Sequence, residues 1–178
     1  MEARIVNPEV FRDKRGSFHE VFNMSKEPWN ELRFQQQNVS INHRNVWRGL
    51  HYQHQHPQGK LVRVLRGAVI DYIVDLRRSS PWFGLIRRFH LTEDDNTMLW
   101  VPGHYAHGFF AIEPETIFTY NVFGSPYNKD DEYSIRPWDF PEITQDFDYY
   151  GHTKDGYPII MSDKDKDGLH FDEAPTYG

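Results

Sequence analysis

Residues 60–76 read KLVRVLRGAVIDYIVDL, and this stretch decides the fold class. Its two apolar runs, 61–65 and 68–76, are short and rich in β-branched residues, which favours strands over helices. Between the runs stands Arg66-Gly67, where the glycine can adopt a positive φ and close a tight hairpin. We therefore predict two antiparallel strands joined at Gly67.

The second run carries two acidic residues, Asp71 and Asp75, among apolar neighbours. This pattern suits a strand whose two surfaces are both at least partly covered, as in a barrel wall. Further short apolar runs, separated by turn residues, follow at 83–91, 98–101, 108–112 and 117–123. Together the runs predict an all-β sandwich or barrel of antiparallel strands.

The terminal parts of the chain are less regular. Residues 25–32 (SKEPWNEL) give the one helix prediction, with Ser25 as N-cap and Pro28 in the first turn. After Ser134 the sequence is rich in Asp, Pro, Gly and Tyr without sustained periodicity, which predicts a covering tail of loops and short turns. Residues 171–178 are expected to be loose.

Composition limits the class of protein. A chain of 178 residues fits a single domain with a substantial core. It has no cysteine, which excludes disulfides, thiolate nucleophiles and cysteine-based metal sites. No run of about 18 apolar residues and no signal-peptide layout is present, so we expect a soluble, cytoplasmic protein with no membrane partner. The formal charge of −6 disfavours nucleic acid as a partner but allows a local site for small anions.

Two closely spaced histidines raise the question of a metal site. His54 and His56 would share one face of a strand, and His104 or His107 would supply a ligand from another strand. Against this, Lys60 follows the pair closely, and its positive charge opposes a bound cation. The run HQHPQG also has the composition of a solvated loop. We therefore expect no metal here and place both histidines in a loop.

His51 differs from these two because it stands between apolar neighbours in GLHY, three residues after Arg48. Histidine has the unperturbed pKa, about 6.5, that best suits proton abstraction near neutrality. From the residue alone, a structural histidine and a catalytic base both remain open.

Many short motifs, in order along nearly the whole chain, resemble those of the dTDP-4-dehydrorhamnose 3,5-epimerases. They are FRDKRGSFHE (11–20), FQQQN (34–38), RGLHYQ (48–53), QGKLVRVLRGAV (58–69), VDLRRSSPWFG (74–84), LWVPGHYAHGF (99–109), FTY (118–120) and MSDKD (161–165). The resemblance implies a cofactor-free and metal-free epimerase on a cupin-type jelly-roll barrel with a few short helices. It implies one domain, 1–178, and a homodimer in which the N-terminal strands (1–45) cross to the partner and 134–178 covers the barrel.

The resemblance also implies a substrate, a dTDP-linked 4-keto-6-deoxyhexose, and roles for particular residues. His51 matches the base, and Asp165 the carboxylate that orients it. Tyr120 matches the proton donor on the opposite face of the sugar. Lys60 and Arg48 match residues that face the sugar and its keto oxygen.

Further positions match substrate contacts. His107 matches another pocket residue. Contacts to the nucleotide and diphosphate, some of them supplied across the dimer, match Arg15, Glu20, Gln36, Gln37, Asn38, Glu132 and Lys164. Asp163 and Asp167 stand in the same charged run as Asp165 and remain alternatives as the partner of His51.

Two segments depart from the family pattern. Residues 121–133 have Phe123 and Gly124 where relatives carry a pair of tyrosines, in a loop expected to lie over the sugar. Residues 148–159 also look different. Inversion at C3, at C5 or at both therefore stays open, as do the exact sugar and base. The alternatives are a nucleotide-sugar 3,4-ketoisomerase and a non-catalytic or metal-dependent cupin.

Overall fold

The computed structural model describes residues 1–151 and 158–178. Its strands are β1 Arg4–Val6, β2 Val10–Asp13, β3 Gly16–His19, β4 Phe34–Asn42, β5 Trp47–Gln53, β6 Gln58–Arg66, β7 Ala68–Asp75, β8 Ile86–Thr92, β9 Met98–Val101, β10 Tyr105–Ala111, β11 Thr116–Gly124 and β12 Glu132–Ser134. Helices α1 and α2 span Pro141–Gly151 and Asp163–Lys166, and short 3-10 helices span Trp29–Glu31, Lys129–Asp131, Pro137–Asp139 and Phe171–Glu173. No helix among these residues is long and apolar enough to cross a membrane.

Among residues 1–151 and 158–178, two antiparallel five-stranded sheets face each other and form a jelly-roll barrel. We call them sheet A, with strand order β1-β9-β6-β11-β4, and sheet B, with strand order β12-β5-β10-β7-β8. Strands β2 and β3 form a separate hairpin. The predicted all-β fold class is confirmed, since each predicted apolar run overlaps a strand.

The predicted hairpin at Gly67 is wrong. Gly67 has the expected positive φ of 77°, but β6 lies in sheet A and β7 in sheet B. Strand β6 pairs with β9 and β11, so its hydrogen bonds are satisfied without β7. The backbone of Gly67 instead bonds Glu93, through its N–H to the side chain and its C=O to the backbone N–H. Gly67 is thus a corner at which the chain changes sheets.

In the described part of the chain, three apolar clusters build the core. The first fills the barrel between the sheets and includes Val62, Leu99 and Phe118. The second lies on the outer face of sheet B, where Ile143 and Phe147 of α1 pack. The third lies on the outer face of sheet A, and its members are Trp29, Leu61, Met98, Trp100 and Phe123. The barrel wall is therefore packed on both sides, which holds its inward side chains in place.

Helix α1 corrects the prediction of loops and short turns after Ser134. Its sequence, PEITQDFDYYG, has few strong helix formers, and docking rather than propensity stabilises it. Phe147 packs edge-on against Trp47, with ring centroids 5.2 Å apart. The buried carboxylate of Asp146 accepts a hydrogen bond of 2.7 Å from the Tyr72 hydroxyl.

Two other predictions for the terminal segments are wrong. In place of a helix over 25–32 there is one 3-10 turn, Trp29–Glu31, because Pro28 has no N–H to donate and the Trp29 ring turns inward to stack on Phe123. The C-terminal end is not loose either. The Tyr177 N–H donates to Leu76 O at 2.9 Å and Tyr177 O accepts from the Arg78 N–H at 2.8 Å, so the tail extends the backbone pairing of the barrel.

Candidate active site

A cavity of about 730 Å³ opens between sheets A and B. Side chains of both sheets line it, and the segment from Ile160 to Asp165 closes one side. Most of the residues predicted from the sequence meet here: Asn38, Arg48, His51, Lys60, His107, Tyr120, Lys164 and Asp165.

The two sheets contribute different chemistry to this cavity. Sheet B supplies His51 from β5 and His107 from β10, which are paired across the two strands. Sheet A supplies Lys60 from β6 and Tyr120 from β11. His51 and Tyr120 therefore belong to opposite walls, with the cavity between them.

A β-bulge explains why Arg48 and His51, three residues apart, both line the cavity. Regular alternation would send them to opposite faces of β5. The register shows two residues of β5 opposite Gly108 alone, which inserts one extra residue and restores the inward direction. Gly49 makes the bulge possible: its φ is 130°, and a Cβ there would lie 2.4 Å from Gly108 Cα.

His51 is bonded to a carboxylate from the C-terminal segment. Its Nε2 lies 2.5 Å from Asp165 Oδ1, which leaves the other ring nitrogen for a ligand. Asp165 is buried, whereas Asp163 and Asp167 of the same run are exposed. Ser162 caps α2 by accepting from the Asp165 N–H at 3.2 Å, so the carboxylate sits on a defined turn.

Lys60 is the cation of the opposite wall. Its Nζ lies 5.8 Å from the centroid of the Tyr120 ring. Burial lowers the pKa of Lys60 to about 8, and the negative charges of Glu132 and Asp71 act in the opposite direction. The Lys60 ammonium therefore loses its proton at a pH much closer to neutrality than an exposed lysine does.

Glu132 lies beside the main cavity, in a second one of about 20 Å³ that it shares with His51, Lys60 and His107. Its carboxylate accepts a hydrogen bond from the Lys164 ammonium. Burial raises the pKa of Glu132, but this bond and the nearby His51 outweigh burial, so that the pKa lies below its ordinary value. The smaller space is the size of one water molecule.

Sequence reasoning missed a second histidine–carboxylate pair. His107 Nε2 lies 2.9 Å and 3.1 Å from the two carboxylate oxygens of Asp71 on β7. Asp71 is fully buried, and His107 is 6% exposed. The signal was present as an acidic residue in the middle of an apolar strand, which needs a buried partner.

The other histidines of the HYQHQH stretch do not converge. His54 and His56 lie in the connection between β5 and β6, as expected. His54 Nε2 lies 3.1 Å from Thr176 O, and its ring packs against Tyr177. His56 Nδ1 instead lies 3.1 Å from the buried carboxylate of Asp131. No group of three or more potential metal ligands occurs among residues 1–151 and 158–178.

Some predicted contact residues lie away from this chain's cavity. Arg15 is on the β2–β3 turn, highly exposed and ion-paired with Asp13, and Glu20 pairs with Lys26. Gln36 and Gln37 are on β4, and alternation turns Gln37 to the outer face of sheet A. Gln36 faces the same side as Asn38, to whose Oδ1 it donates at 3.1 Å.

The structure also locates most of the two segments, 121–133 and 148–159, that depart from the family pattern. Among the residues described, none from 121–133 lines the large cavity, and the Tyr127 hydroxyl donates to Glu132 at 3.2 Å. In the segment 148–159, residues 148–151 end α1, and residues 152–157 lie outside the described part of the chain. Ile160 next to it is fixed by backbone bonds to Asn45 and Trp47.

Comparison with known proteins gives a consistent result. The family model described as dTDP-4-dehydrorhamnose 3,5-epimerase matches residues 1–173. The chain is 39% identical over 177 residues to the enzyme of that name from Methanothermobacter thermautotrophicus, covering 98% of this chain and 92% of the relative.

Solved structures agree with the sequence comparison. The chain is similar to an epimerase from Legionella pneumophila in complex with dTDP-4-keto-L-rhamnose, with a TM-score of 0.83, 32% identity and coverage of 97% and 89% of the two chains. It is also similar to a 3'-monoepimerase from Streptomyces bikiniensis in complex with dTDP-quinovose, with a TM-score of 0.78, 26% identity and coverage of 94% and 83%.

Proposed function

This chain belongs to the dTDP-4-dehydrorhamnose 3,5-epimerase family, a family of isomerases, and on that premise we propose that it inverts C3, C5 or both in a dTDP-linked 4-keto-6-deoxyhexose. The simplest such reaction converts dTDP-4-dehydro-6-deoxy-D-glucose to dTDP-4-dehydro-L-rhamnose. The observation that carries the proposal is the placement of His51 and Tyr120 on opposite walls of one cavity, with Lys60 beside the tyrosine.

The chemistry explains why these residue types are required. Protons on C3 and C5 are acidic because the C4 ketone accepts the resulting charge as an enolate. Inversion then needs a base on one face of the ring, an acid on the other face and a positive charge at the oxygen. No electrons are gained or lost in the net reaction.

In the proposed mechanism His51 removes the proton from carbon. The carboxylate of Asp165, 2.5 Å away, orients the imidazole and stabilises its protonated form. Lys60 stabilises the enolate oxygen, a contribution typically worth several kcal/mol. Tyr120 then delivers a proton from the opposite wall, which inverts the carbon.

The remaining cavity residues are proposed to hold the substrate. Arg48 donates from Nε to Asn42 at 2.9 Å, which fixes its guanidinium at the cavity edge. Asn38, His107 and the ion pair of Lys164 with Glu132 provide further polar contacts. This part of the cavity suits the sugar and a diphosphate, because arginine and lysine are the residues that bind phosphate groups.

We propose a homodimer that completes this site, with residues 1–45 as the exchanged region. What supports it is the exposure of large apolar side chains on the β2–β3 hairpin and on β4, where Phe18 is 70% and Ile41 is 67% exposed. In such a dimer Arg15 and Glu20, remote from their own cavity, would reach the partner's nucleotide.

A mixing experiment tests the exchange. We expect His51→Ala and Arg15→Ala chains each to be inactive alone, and the two are unfolded together and refolded. Recovered activity supports a site built from two chains, since one mixed site then has both intact residues. Absence of recovery in a verified mixed dimer contradicts it.

The reaction itself is tested by incubating the enzyme with dTDP-4-dehydro-6-deoxy-D-glucose in deuterium oxide. We expect deuterium at C3, C5 or both, and an inverted stereocentre in the product by NMR. His51→Ala should abolish exchange, while the matched control His54→Ala, outside the cavity, should keep it. Native protein without any exchange contradicts an epimerase, and a carbonyl moved to C3 indicates the ketoisomerase instead.

We also propose that the enzyme acts in the cytoplasm. What supports this is the substrate: a charged nucleotide sugar crosses a hydrocarbon layer only at high cost, so the enzyme must share its compartment. Cell fractionation with activity measured in each fraction tests the location.

A further inference from the structure

Among the described residues, two hydrogen-bonded histidine–carboxylate pairs lie side by side at the cavity, and the proposed reaction uses only one as a base. His51 pairs with Asp165, and His107 pairs with Asp71. The two histidines are register partners on β5 and β10. The second pair therefore lies one strand away from the proposed base, against the same ligand space.

Asp71 occupies a position where a carboxylate is costly. It is 0% exposed, and its neighbours on the same face of β7, Val69 and Ile73, belong to the apolar cluster inside the barrel. The pKa of Asp71 lies above its ordinary value because burial raises it, and the charge and hydrogen bond of His107 and the charge of Lys60 oppose this shift only in part. A buried carboxylate is tolerated only when hydrogen bonds or cations compensate it, so Asp71 needs His107 and nearby positive charge.

The pair fixes the imidazole of His107. Both short contacts to Asp71 use Nε2, and the Phe118 ring is stacked beside the imidazole with centroids 6.3 Å apart. In the described part of the chain, no group hydrogen-bonds Nδ1 of His107. Because His107 lines the large cavity, Nδ1 is the atom left to meet the sugar.

His107, which is bonded to Asp71 on β7, lines both cavities together with Lys60, and from this position the negative charge of Asp71 favours the Lys60 ammonium. The titratable and charged groups that line the two cavities with Lys60 are His43, Arg48, His51, Tyr52, Tyr105, His107, Tyr120, Glu132, Lys164 and Asp165. Glu132 and Asp71 are the carboxylates that favour the ammonium form. Glu132 already shares its charge with Lys164, whereas Asp71 is enclosed in the barrel.

We propose that Asp71 is a positioning residue of this active site, which holds the His107 ring toward the sugar and keeps the Lys60 ammonium charged in the interior of the barrel. This inference rests on the proposed epimerase function, in which a charged Lys60 stabilises the enolate. Asp71 itself does not touch the reacting atoms.

The test compares Asp71→Asn with Asp75→Asn. Both residues lie on β7 and are buried, but Asp75 is ion-paired with Arg77 and is not among the charges that act on Lys60. The rate of solvent deuterium exchange is measured against pH. Loss of the Asp71 charge lowers the pKa of Lys60 further below about 8, so the alkaline decline of the rate should begin about one pH unit lower. Asp75→Asn should leave the alkaline decline in place.

A second measurement does not depend on turnover. With ¹³C-labelled lysine, NMR follows the titration of Lys60 directly in native protein and in both variants. If native protein shows no exchange but Lys60 titrates lower in Asp71→Asn, the proposed function fails and the effect of Asp71 on Lys60 stands. If neither the exchange profile nor the Lys60 titration moves, the inference is overturned.

If Asp71→Asn does not fold, spectra of the native protein and titrations of Asp71→Ser and Asp71→Ala still test the inference. Long-range ¹H–¹⁵N spectra should show His107 Nε2 carrying a proton that exchanges slowly with solvent, because it is donated to a buried carboxylate. The inference also requires Lys60 of native protein to titrate above its value in Asp71→Ser or Asp71→Ala. A solvent-exposed, rapidly exchanging His107 ring overturns it.

Discussion

The barrel wall and the C-terminal segment each bring a carboxylate to a histidine of the cavity, but they hold it in different ways. Asp71 is part of β7, which is paired along its length with β10 on one side and β8 on the other. Asp165 sits on the four-residue helix α2, outside both sheets.

The segment that carries Asp165 is attached to the barrel at its two ends. The Ile160 N–H donates to Asn45 O at 2.8 Å, and the Leu169 N–H donates to Ser134 O at 2.8 Å. The position of the proposed base partner therefore depends on docking of a terminal segment, whereas the position of Asp71 is fixed by sheet register. Substitutions in the barrel wall should therefore reduce activity by removing a chemical group. Substitutions in the terminal segments should reduce it through loss of docking as well.

The largest expected effect is at Asp165, where a substitution can distinguish loss of the carboxylate charge from loss of docking. Asp165→Asn keeps the shape of the side chain but removes the charge that orients and stabilises His51, so exchange should fall about 10² to 10⁴-fold. Deuterium incorporation measures the rate, and urea unfolding shows whether α2 stays docked. Asp163→Asn, on the same helix but exposed, is the control and should keep the native rate within a few fold. Equal losses in both variants would mean that docking, and not the carboxylate, is what matters.

The N-terminal segment should make the next largest contribution, this time to stability. Trp29 is 6% exposed and packs against Trp100 and Phe123 on the outer face of sheet A. Trp29→Ala should lower the free energy of unfolding by about 3 to 5 kcal/mol, because it empties a large buried volume. Trp82→Ala, at a side chain that is 57% exposed, should cost less than about 1 kcal/mol. Urea unfolding of the two variants decides whether the segment is an integral part of the barrel.

Substitution of a barrel-wall residue, Lys60, should instead increase the free energy of unfolding. Because Lys60 has a pKa of about 8 in the folded chain and about 10.5 when unfolded, its charge destabilises the fold below pH 8. Lys60→Met should abolish exchange and raise the free energy of unfolding by about 2 to 3 kcal/mol near pH 7. The gain should shrink as pH rises from 8 to 10.5, since the native lysine then loses its proton on folding.

The matched control for that change is Lys14→Met, at an exposed lysine on the β2–β3 turn. It should alter the free energy of unfolding by no more than about 0.5 kcal/mol at any pH. Urea unfolding at several pH values measures both variants. A loss of stability in Lys60→Met would show that the charged lysine stabilises the barrel, contrary to this prediction.

The same division between wall and terminal segments governs what the sequence could predict. The wall strands follow from short local patterns, and the run 98–101 matches β9 residue for residue. Which strands pair is a competition between distant segments, and for that reason the corner at Gly67 was predicted as a hairpin. Helix α1 was missed because its stability comes from docking on sheet B, which no local pattern reports.

The candidate site divides along similar lines. Motif resemblance singled out His51, Lys60 and Tyr120, and the structure gathers them around one cavity. The pairing of Asp71 with His107 was not predicted because the two residues are 36 positions apart in sequence. An acidic residue within an apolar strand was nevertheless a visible signal. The catalytic roles of these residues stay predictions until the variants are measured.

The smallest expected effect concerns the C-terminal tail, whose docking was not predicted. The Tyr177 hydroxyl donates to Gln53 O at 2.8 Å, at the end of the strand that carries His51. Tyr177→Phe leaves that carbonyl without its donor and should cost about 1 kcal/mol of unfolding free energy. Tyr149→Phe, at a residue that is 77% exposed, should cost nothing measurable. The Tyr177 amide donates to Leu76 O, so its hydrogen exchange should be slow in the native protein. Rapid exchange there would show that the C-terminal tail is not stably docked.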